Sequence, residues 1–292
     1  MDVSIIIVNY NTSVLIKKLL ETIEEKTEGI SYEVIVVDNN PTEQFAVDLK
    51  DYLDRIIYLP LKENVGFGRA NNEGLKVAKG RNIFFLNPDT LLVNNAIKIL
   101  SDYLDENENV GVCGGNLYDL DLNPNHSCMP KLPGLFSEIN LMLGNSLYKL
   151  LYGSYDFNNT DKPKKVGYIT GADMMVKRNI LDKVGGFNPI FFMYYEETEL
   201  SFRIKKEGYD IISVPSAKII HLESKSFTSS LKKQKLVLQS RKNYLKIIYP
   251  LYKRIITDFV YIVSCIVALV VFTIKGDNQR KEIWLYSLKS MF

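Results

Sequence analysis

The chain has 292 residues, of which 46% are hydrophobic and 24% charged, enough apolar material for one large or two small globular domains. This composition excludes a disordered chain, a collagen-like repeat and a disulfide-dense scaffold. The three cysteines are odd in number and lack metal-ligand spacing, which is typical of a reducing compartment. Residues 3–10 have the pattern of a strand and not that of a secretion signal.

The net charge of +2 is unevenly distributed along the chain. Residues 226–292 hold twelve Lys or Arg and three acids, a net charge of +9, which leaves −7 on residues 1–225. A basic segment of this kind indicates an anionic partner, either nucleic acid or a phospholipid surface. The same segment contains the apolar run 255–274, flanked by Lys253 and Lys275, and such a run favours a membrane over nucleic acid.

The sequence leaves open whether the run 255–274 crosses a membrane, lies on its surface or is buried in protein. A bilayer span needs about 20 apolar residues. This run reaches that length only if Thr257 and Asp258 are included. A short span, an interfacial helix, a buried helix of a homodimer and a core helix of a soluble C-terminal subdomain are all compatible with it. Nucleic acid is not expected as a partner.

The first part of the chain alternates strand-like and helix-like segments. Runs of β-branched and other apolar residues predict strands at 3–8, 33–37, 55–59, 82–86 and 110–113. Helical spacing of apolar residues predicts helices at 14–25, 70–78 and 95–104. This order predicts an α/β fold with a mostly parallel, Rossmann-like sheet and helices on both faces. In such sheets ligands bind beyond the carboxyl ends of the strands.

Polar side chains follow four of the predicted strands, in the loops that begin at Asn9, Asp38, Asn64 and Asn87. Any one such loop is typical of a turn. Four of them at one edge of a sheet predict a site for a sugar, a base or a phosphate. Because the chain has neither a glycine-rich dinucleotide motif after the first strand nor a P-loop, a metal ion is expected to neutralise a bound phosphate.

The second part of the chain holds a cluster of acids. Residues 119–165 have little regular pattern apart from a helix predicted at 136–151, which is typical of a loop that covers a substrate. A strand is predicted within 167–178, and strands at 211–214 and 217–220 lead to His221. Between them, Glu196, Glu197 and Glu199 begin a predicted helix. Acids are common in a first turn, but neighbouring aromatic rings desolvate a carboxylate, raise its pKa and improve it as a proton acceptor.

Six motifs, in order, carry a resemblance to a known family: VSIIIVNYNT, VVDNN, NVGFGRANNEG, FLNPDT, TGADMMVKR and GGFNPIFFMYYEETELSFRIKKEGYDI. Over residues 2–226 the chain resembles glycosyltransferase family 2 with the A-type fold. Within that family it is most similar to rhamnosyltransferase-like enzymes of bacterial polysaccharide assembly. The resemblance implies a nucleotide-sugar-dependent domain at 1–226, and residues 227–292 are left as a basic, apolar helical region that associates with a membrane.

The resemblance also implies roles for the residues at matching positions. The implied nucleotide-sugar contacts are Asn9, Tyr10, Asn11, Asp38, Asn40, Asn64, Gly66, Phe67, Arg69, Asn72, Asn87, Gly171 and Ala172. Asn87 stands where the family has Asp, which weakens the ribose contact expected there. The implied ligands of a divalent cation, Mg²⁺ or Mn²⁺, are Asp89 and, in an assisting role, His221.

The general base of inverting family members matches Glu197, but the pair Glu196-Glu197 replaces the more usual Glu-Asp or Asp-Asp and leaves the choice open. The implied reaction transfers a sugar, with rhamnose from dTDP-rhamnose favoured, to a glycan or lipid-linked acceptor in cell-surface polysaccharide synthesis. The enzyme is expected at the cytoplasmic face of the cell membrane, held peripherally or by a single helix. A polyprenyl-phosphate glycosyltransferase and a non-catalytic scaffold remain as alternatives.

Overall fold

The computed structural model describes residues 1–153, 155–222 and 231–292. The strands are β1 (Val3–Asn9), β2 (Tyr32–Asp38), β3 (Ile57–Pro60), β4 (Asn82–Leu86), β5 (Thr90–Leu92), β6 (Val110–Tyr118), β7 (Cys128–Met129), β8 (Lys164–Lys165), β9 (Tyr168–Ile169), β10 (Asp173–Lys177) and β11 (Asp210–His221). The helices are α1 (Ser13–Lys26), α2 (Glu43–Asp48), α3 (Phe67–Val77), α4 (Ala96–Glu106), α5 (Leu135–Met142), α6 (Ser146–Tyr152), α7 (Arg178–Val184), α8 (Glu196–Lys206), α9 (Leu231–Ile248), α10 (Leu251–Ile274) and α11 (Asn278–Lys289).

The described residues form two compact units. The first comprises 1–130, 156–192 and 196–222. The second comprises 131–155 apart from 154, 193–195 and 231–292. The domain boundary predicted between residues 226 and 227 lies outside the described residues and stays a prediction.

One large sheet organises the first unit. Within the described residues its strands lie in the order β3-β2-β1-β4-β10-β6-β11-β5, and β8 pairs with β11. β1 is parallel to β2 and β4, β2 is parallel to β3, and β6 is parallel to β11. β10 runs antiparallel between β4 and β6. The predicted α/β fold with a mostly parallel sheet is confirmed.

The sequence of β1 explains why helices cover both faces of this sheet. All seven of its residues are buried. Val3, Ile5 and Ile7 pack in one core with residues of α1 and α4, whereas Ile6 and Val8 pack in a second core with residues of α3 and α8. Successive side chains of a strand point to opposite faces, so an uninterrupted apolar run requires cover on both sides.

Several elements differ from their prediction. The single helix expected at 136–151 is two helices, α5 and α6, because Asn145 between them adopts a left-handed conformation with φ 65°. The two strands expected at 211–214 and 217–220 are one strand, β11, with an irregular register against β6 between Ser213 and Lys218. Pro215 lies in that irregularity, where its missing N–H costs no ladder hydrogen bond. The short elements β5 and α2 were not predicted.

The first unit buries one carboxyl group that has a single hydrogen bond. Asp173, at the start of β10, is fully buried, and its Oδ2 accepts a hydrogen bond of 2.6 Å from Gly115 N. Its Oδ1 has no partner among the described residues. Burial raises the pKa of this carboxyl well above its ordinary value of 3.8.

We expect Asp173→Asn to stabilise the protein at pH 8 and to have little effect near pH 4. Because the folded pKa is raised, ionisation of Asp173 above pH 3.8 favours the unfolded chain, and stability falls as the pH rises toward the folded pKa. The amide cannot ionise, and its oxygen can still accept from Gly115 N. Melting temperatures at the two pH values test this expectation. An equal shift at both would contradict it, as would destabilisation at pH 8.

The second unit is helical. Within it, α5 and α11 pack against α10. In the described part of the chain α10 alone is long and apolar enough to cross a membrane, with 24 residues and a mean hydropathy of 2.6 over its most apolar window. A core helix passes the same test of length and composition, but a core helix is mostly buried, whereas 22% of this window is buried.

Candidate active site

The ends of β1 and β2 form the first part of the site. Asn9 and Asp38 are register partners, and Asn9 Nδ2 donates a hydrogen bond of 2.8 Å to Asp38 Oδ1. Asp38 is fully buried, and it also accepts hydrogen bonds from Tyr58 OH (2.9 Å) and from Asn40 N (3.0 Å). These internal bonds make Asp38 the residue that joins the two strand ends.

Three exposed side chains surround this junction: Tyr10, Asn11 and Asn40. Asn40 Nδ2 donates to Asn11 Oδ1 over 2.8 Å, so the two amide groups meet next to Tyr10, which directly precedes Asn11 in the chain. Asn11 has a φ of 61°, a left-handed conformation that Asn tolerates better than most residues. An exposed ring and two amides can stack against and hydrogen-bond a nucleoside, and the contact of these residues with a nucleotide sugar stays a prediction.

The loop before α3 is held from two sides. Gly66 N donates to Asn64 Oδ1 over 2.9 Å, and Phe67 N donates to Phe192 O over 2.9 Å. Gly66 has a φ of 89°, and a Cβ there would lie 2.2 Å from Phe192 O. Only glycine therefore fits this position. The loop is locked to the segment that leads to Glu196.

We expect Gly66→Ala to destabilise the first unit and to weaken nucleotide binding at least tenfold. The change adds the strain of a positive φ, roughly 1–3 kcal/mol, and a clash with a backbone oxygen that cannot move away freely. Gly208→Ala is the matched control, because Gly208 has a φ of 91° with no atom within 4 Å of a built Cβ. Thermal unfolding and nucleotide titration of both variants test this. Equal losses of stability in the two would contradict the proposed lock.

Two predicted donor contacts on α3 make internal hydrogen bonds. Arg69 Nε donates to Pro189 O over 2.8 Å. Asn72 Nδ2 donates to Phe187 O over 2.7 Å, and Asn72 Oδ1 accepts from Phe187 N over 2.8 Å. Both side chains therefore position the loop before α8. Their contacts to a nucleotide sugar stay predictions.

The predicted cation ligands lie side by side. β5 pairs antiparallel with the end of β11, and this register brings Asp89 Oδ1 to 3.3 Å from His221 Nε2. The exposed fractions of the two side chains are 12% and 16%. The described residues contain no group of three or more His, Cys, Asp or Glu that could hold a metal. Two protein ligands fit Mg²⁺ or Mn²⁺ in a site where substrate phosphates and water complete the coordination.

A short series of contacts connects the loop of residues 87–89 with Glu197 at the start of α8. Asn87 N donates to Ala172 O over 2.9 Å, so the loop lies against the chain just before β10. A Cβ on Gly171 would lie 3.5 Å from Phe67 Cε1 and 3.9 Å from Glu197 Cβ. The structure thus brings Asn87, Ala172, Gly171, Phe67 and Glu197 together, and their roles toward a nucleotide sugar stay predictions.

The three acids at the start of α8 have different surroundings. Glu196 is 4% exposed, and its Oε2 has no partner in the described part of the chain. Glu197 is partly exposed, and its Oε1 accepts from Thr198 Oγ1 over 3.2 Å. Glu199 is bound to Arg203, with an N–O distance of 2.8 Å. Glu197 is therefore the most accessible proton acceptor of the three.

Burial sets the ionisation of the first two acids. Desolvation raises the pKa of Glu196 well above 4.5, and the neighbouring Glu197 raises it further. Desolvation also raises the pKa of Glu197. A carboxylate with a raised pKa is a stronger base at the pH where it is ionised.

Two features of the site were missed by the sequence reasoning. Asn39 is buried, and its side chain accepts from Val65 N (3.2 Å) and donates to Gly66 O (3.3 Å), which ties the loop before α3 to the end of β2. Tyr194 and Tyr195 have φ values of 71° and 69° directly before Glu196. Such conformations are rare for aromatic residues and cluster at functional sites. Only the position of Asn39, beside Asp38 at a strand end, could have indicated its role.

The comparison with known families decides the identity of this fold and site. The family model described as glycosyl transferase family 2 matches residues 4–185, and the one described as glycosyl transferase family group 2 matches residues 146–276. The chain belongs to glycosyl transferase family 2. It is a glycosyltransferase with the A-type fold, as the six motifs implied.

Relatives of this glycosyltransferase include two named rhamnosyltransferases. Over 237 residues, 76% of each chain, it is 24% identical to N-acetylglucosaminyl-diphospho-decaprenol L-rhamnosyltransferase of Mycobacterium tuberculosis. Over 220 residues, 74% of this chain and 67% of the relative, it is 28% identical to dTDP-rhamnosyl transferase RfbF of Shigella flexneri. The expected similarity to rhamnosyltransferase-like enzymes of polysaccharide assembly is confirmed.

A solved structure supports the same fold for the glycosyltransferase. The mannosyltransferase PcManGT from Pyrobaculum calidifontis, in complex with GDP-Man and Mn²⁺, superposes with a TM-score of 0.61. The match covers 99% of this chain and 85% of that chain at 15% sequence identity. At this identity the likeness shows the fold alone.

Proposed function

We propose that this glycosyltransferase is an inverting, cation-dependent enzyme that transfers rhamnose from dTDP-rhamnose to a glycan or lipid-linked acceptor in cell-surface polysaccharide synthesis. One observation carries the proposal. Glu197 lies beside Gly171, while the next residue, Ala172, binds the loop of Asn87 and Asp89. The segments that carry the proposed proton acceptor, Glu197, and the proposed cation ligand, Asp89, therefore both adjoin the residues just before β10. The names of the two rhamnosyltransferase relatives support rhamnose as the sugar.

The donor nucleoside is proposed to bind at the ends of β1 and β2. Tyr10, Asn11 and Asn40 are exposed there, Asp38 accepts from Asn40 N, and Asn40 in turn donates to Asn11. The loop of Asn64, Gly66 and Phe67 would line the sugar side, and its lock to Phe192 gives the pocket a rigid wall. A pocket whose groups are already ordered loses less entropy on binding than one that must fold around the donor.

Asp89 and His221 would hold Mg²⁺ or Mn²⁺ at the diphosphate. When bound, the cation offsets negative charge on the departing nucleotide. The structure supports this assignment through the pairing of the two side chains, whose Asp89 Oδ1 and His221 Nε2 atoms are 3.3 Å apart. The antiparallel pairing of β5 and β11 holds His221, the last residue of β11, opposite Thr90, which directly follows Asp89 in the chain.

Glu197 is proposed to accept the proton of the attacking hydroxyl. An alcohol is a weak nucleophile at neutral pH, so it needs a carboxylate within hydrogen-bond reach as it attacks. Attack from the face opposite the diphosphate inverts the anomeric carbon. The buried carboxyl of Glu196 and the strained backbone of Tyr194 and Tyr195 are proposed to orient Glu197.

The second unit is proposed to bring the enzyme to the cytoplasmic face of the cell membrane. α10 carries large apolar side chains that are exposed, among them Leu251, Ile255, Phe259, Val270 and Ile274. Basic residues occur on both sides of this helix, a pattern typical of helices that insert into a lipid interface. A membrane surface would also present a lipid-linked acceptor.

A panel of nucleotides tests the donor assignment. Thermal shifts are measured with dTDP, UDP and GDP and with their sugars, each with and without Mn²⁺. The proposal predicts the largest stabilisation by dTDP-rhamnose with Mn²⁺, and slow Mn²⁺-dependent hydrolysis of that donor that EDTA stops. If another nucleotide and its sugar gave the largest stabilisation, that nucleotide sugar, and not dTDP-rhamnose, would be the donor. Absence of hydrolysis and of transfer with every donor would favour the non-catalytic scaffold.

A further inference from the structure

The second unit contains a cavity of about 210 Å³ that the proposed transfer reaction does not use. Its walls come from α9, α10 and the residues that follow α11. Polar lining is supplied by Arg241, Lys242, Arg254 and Asp258, and apolar lining includes Leu245 and Met291. A mixed lining of this kind suits a ligand with a charged group and an apolar part.

Arg241 is the buried centre of this cavity wall, with a side chain 6% exposed. Its Nε donates to Glu138 over 2.7 Å, and its Nη1 donates to Asp258 over 2.8 Å. The guanidinium also lies over the ring of Tyr261, 4.3 Å from the centroid. These contacts fix the plane of the guanidinium.

The third nitrogen of this guanidinium, Arg241 Nη2, is buried and has no hydrogen-bond partner among the described residues. Leaving a charged donor unpaired is costly, and a guanidinium presents its donors in a fork that matches the oxygens of a phosphate. A buried guanidinium whose charged donors are not all paired therefore places a fixed positive charge beside the cavity, and this favours an anionic ligand.

The other charges of the cavity favour the same ligand. Lys242 and Arg254 line it, and neither has an ion-pair partner among the described residues. Asp258 is the acid of the lining, and Glu138 faces Arg241 from α5. Three cations against these two acids leave a net positive charge where a phosphate would sit.

The cavity lies beside the exposed apolar face of α10. Arg254 and Asp258 are four residues apart and share one side of the helix. Ile255 directly follows Arg254, and Phe259 directly follows Asp258. Ile255 is 59% exposed and Phe259 is 64% exposed. A ligand with its phosphate in the cavity could therefore lay a hydrocarbon chain along this face.

We propose that this cavity binds the phosphate group of a membrane lipid. The inference rests on the membrane association proposed above, and it adds a defined headgroup site to that association. The lipid phosphate pairs with Lys242 and Arg254, the positive charge of the buried Arg241 adds to the attraction, and the apolar chain covers the exposed face of α10. The phosphate can belong to an anionic phospholipid or to a polyprenyl diphosphate, and the experiment below separates the two.

The test compares two double variants of the full chain in vesicle co-sedimentation. Lys242→Gln with Arg254→Gln removes two cavity charges, and Lys246→Gln with Lys253→Gln removes two exposed charges from the same two helices. Vesicles contain phosphatidylcholine alone, with phosphatidylglycerol, or with a polyprenyl diphosphate. Diffuse attraction to an anionic surface falls equally in both variants, so only a specific site separates them.

The proposal predicts that the cavity variant loses about tenfold more anionic-vesicle binding than the exposed variant. It also predicts that sn-glycerol 3-phosphate at constant ionic strength competes with wild-type binding. The lipid that shows this difference identifies the source of the phosphate. Equal losses in the two variants would overturn the cavity site while membrane association stands. A wild-type protein that binds no vesicle would overturn both, and transfer of sugar to a soluble acceptor would still be measurable.

Discussion

Substitution of Glu197 by Gln is expected to lower the rate of sugar transfer by about 10³-fold, while the affinity for dTDP-rhamnose changes little. Gln keeps the size of the side chain and can still meet Thr198 Oγ1, which donates to Glu197 Oε1 over 3.2 Å. It cannot accept the proton of the attacking hydroxyl. Single-turnover transfer and donor titration measure the two quantities separately.

Two further variants make the Glu197 result specific. Glu196→Gln changes the buried neighbour and is expected to reduce transfer less than Glu197→Gln, because Glu196 is 4% exposed. Glu207→Gln, at the surface beyond α8, removes only an exposed ion pair to Lys183 and should leave the rate unchanged. If Glu196→Gln were the more damaging change, Glu196 would be the base.

The same pair of acids sets the expected pH dependence. Burial raises the pKa of both Glu196 and Glu197 above 4.5, and the base must be ionised to act. Transfer should therefore decline as the pH falls, and the midpoint of that decline should lie above 4.5. The two carboxyls titrate as a pair, so the midpoint belongs to the pair and not to one residue.

Substitution of Asp89 by Asn is expected to weaken Mn²⁺ binding in the presence of dTDP by about 10–100-fold and to lower transfer by a similar or larger factor. The amide preserves the shape of the side chain but removes the anionic oxygen, Oδ1, that lies 3.3 Å from His221 Nε2. Calorimetric titration of Mn²⁺ measures the first effect. Asp121→Asn, in an exposed loop, is the matched control.

The Asp89 variant also tests whether the cation is needed. If Asp89→Asn transferred sugar at the wild-type rate, and EDTA left the wild-type rate unchanged, the cation would have no part in the reaction. Nucleotide binding without Mn²⁺ should be the same in wild type and variant, since Asp89 is not proposed to contact the base.

The sequence was sufficient to predict the features that depend on local pattern. The apolar run of β1 predicted a strand covered on both faces, and the acids from Glu196 onward predicted the start of α8. The parallel order of strands placed Asn9 and Asp38 at one edge of the sheet, where a hydrogen bond of 2.8 Å joins them.

Features that depend on distant pairing were not predictable in the same way. The position of β10 between β4 and β6 brings Ala172 to Asn87, and no local pattern encodes that choice of neighbours. The requirement for glycine at residue 66 comes from Phe192 O, which lies far along the chain. The break between α5 and α6 follows from a left-handed Asn145 within an otherwise helical pattern.

A crystal structure of the Glu197→Gln variant with dTDP-rhamnose and Mn²⁺ would show whether Asp89 and residue 197 flank the same bound sugar. We expect the cation between Asp89 and the diphosphate, and the side chain of residue 197 within about 6 Å of the anomeric carbon, which leaves room for one hydroxyl between them. A nucleotide sugar bound away from the ends of β1 and β2, or a residue 197 that faces a different cleft from Asp89, would contradict it.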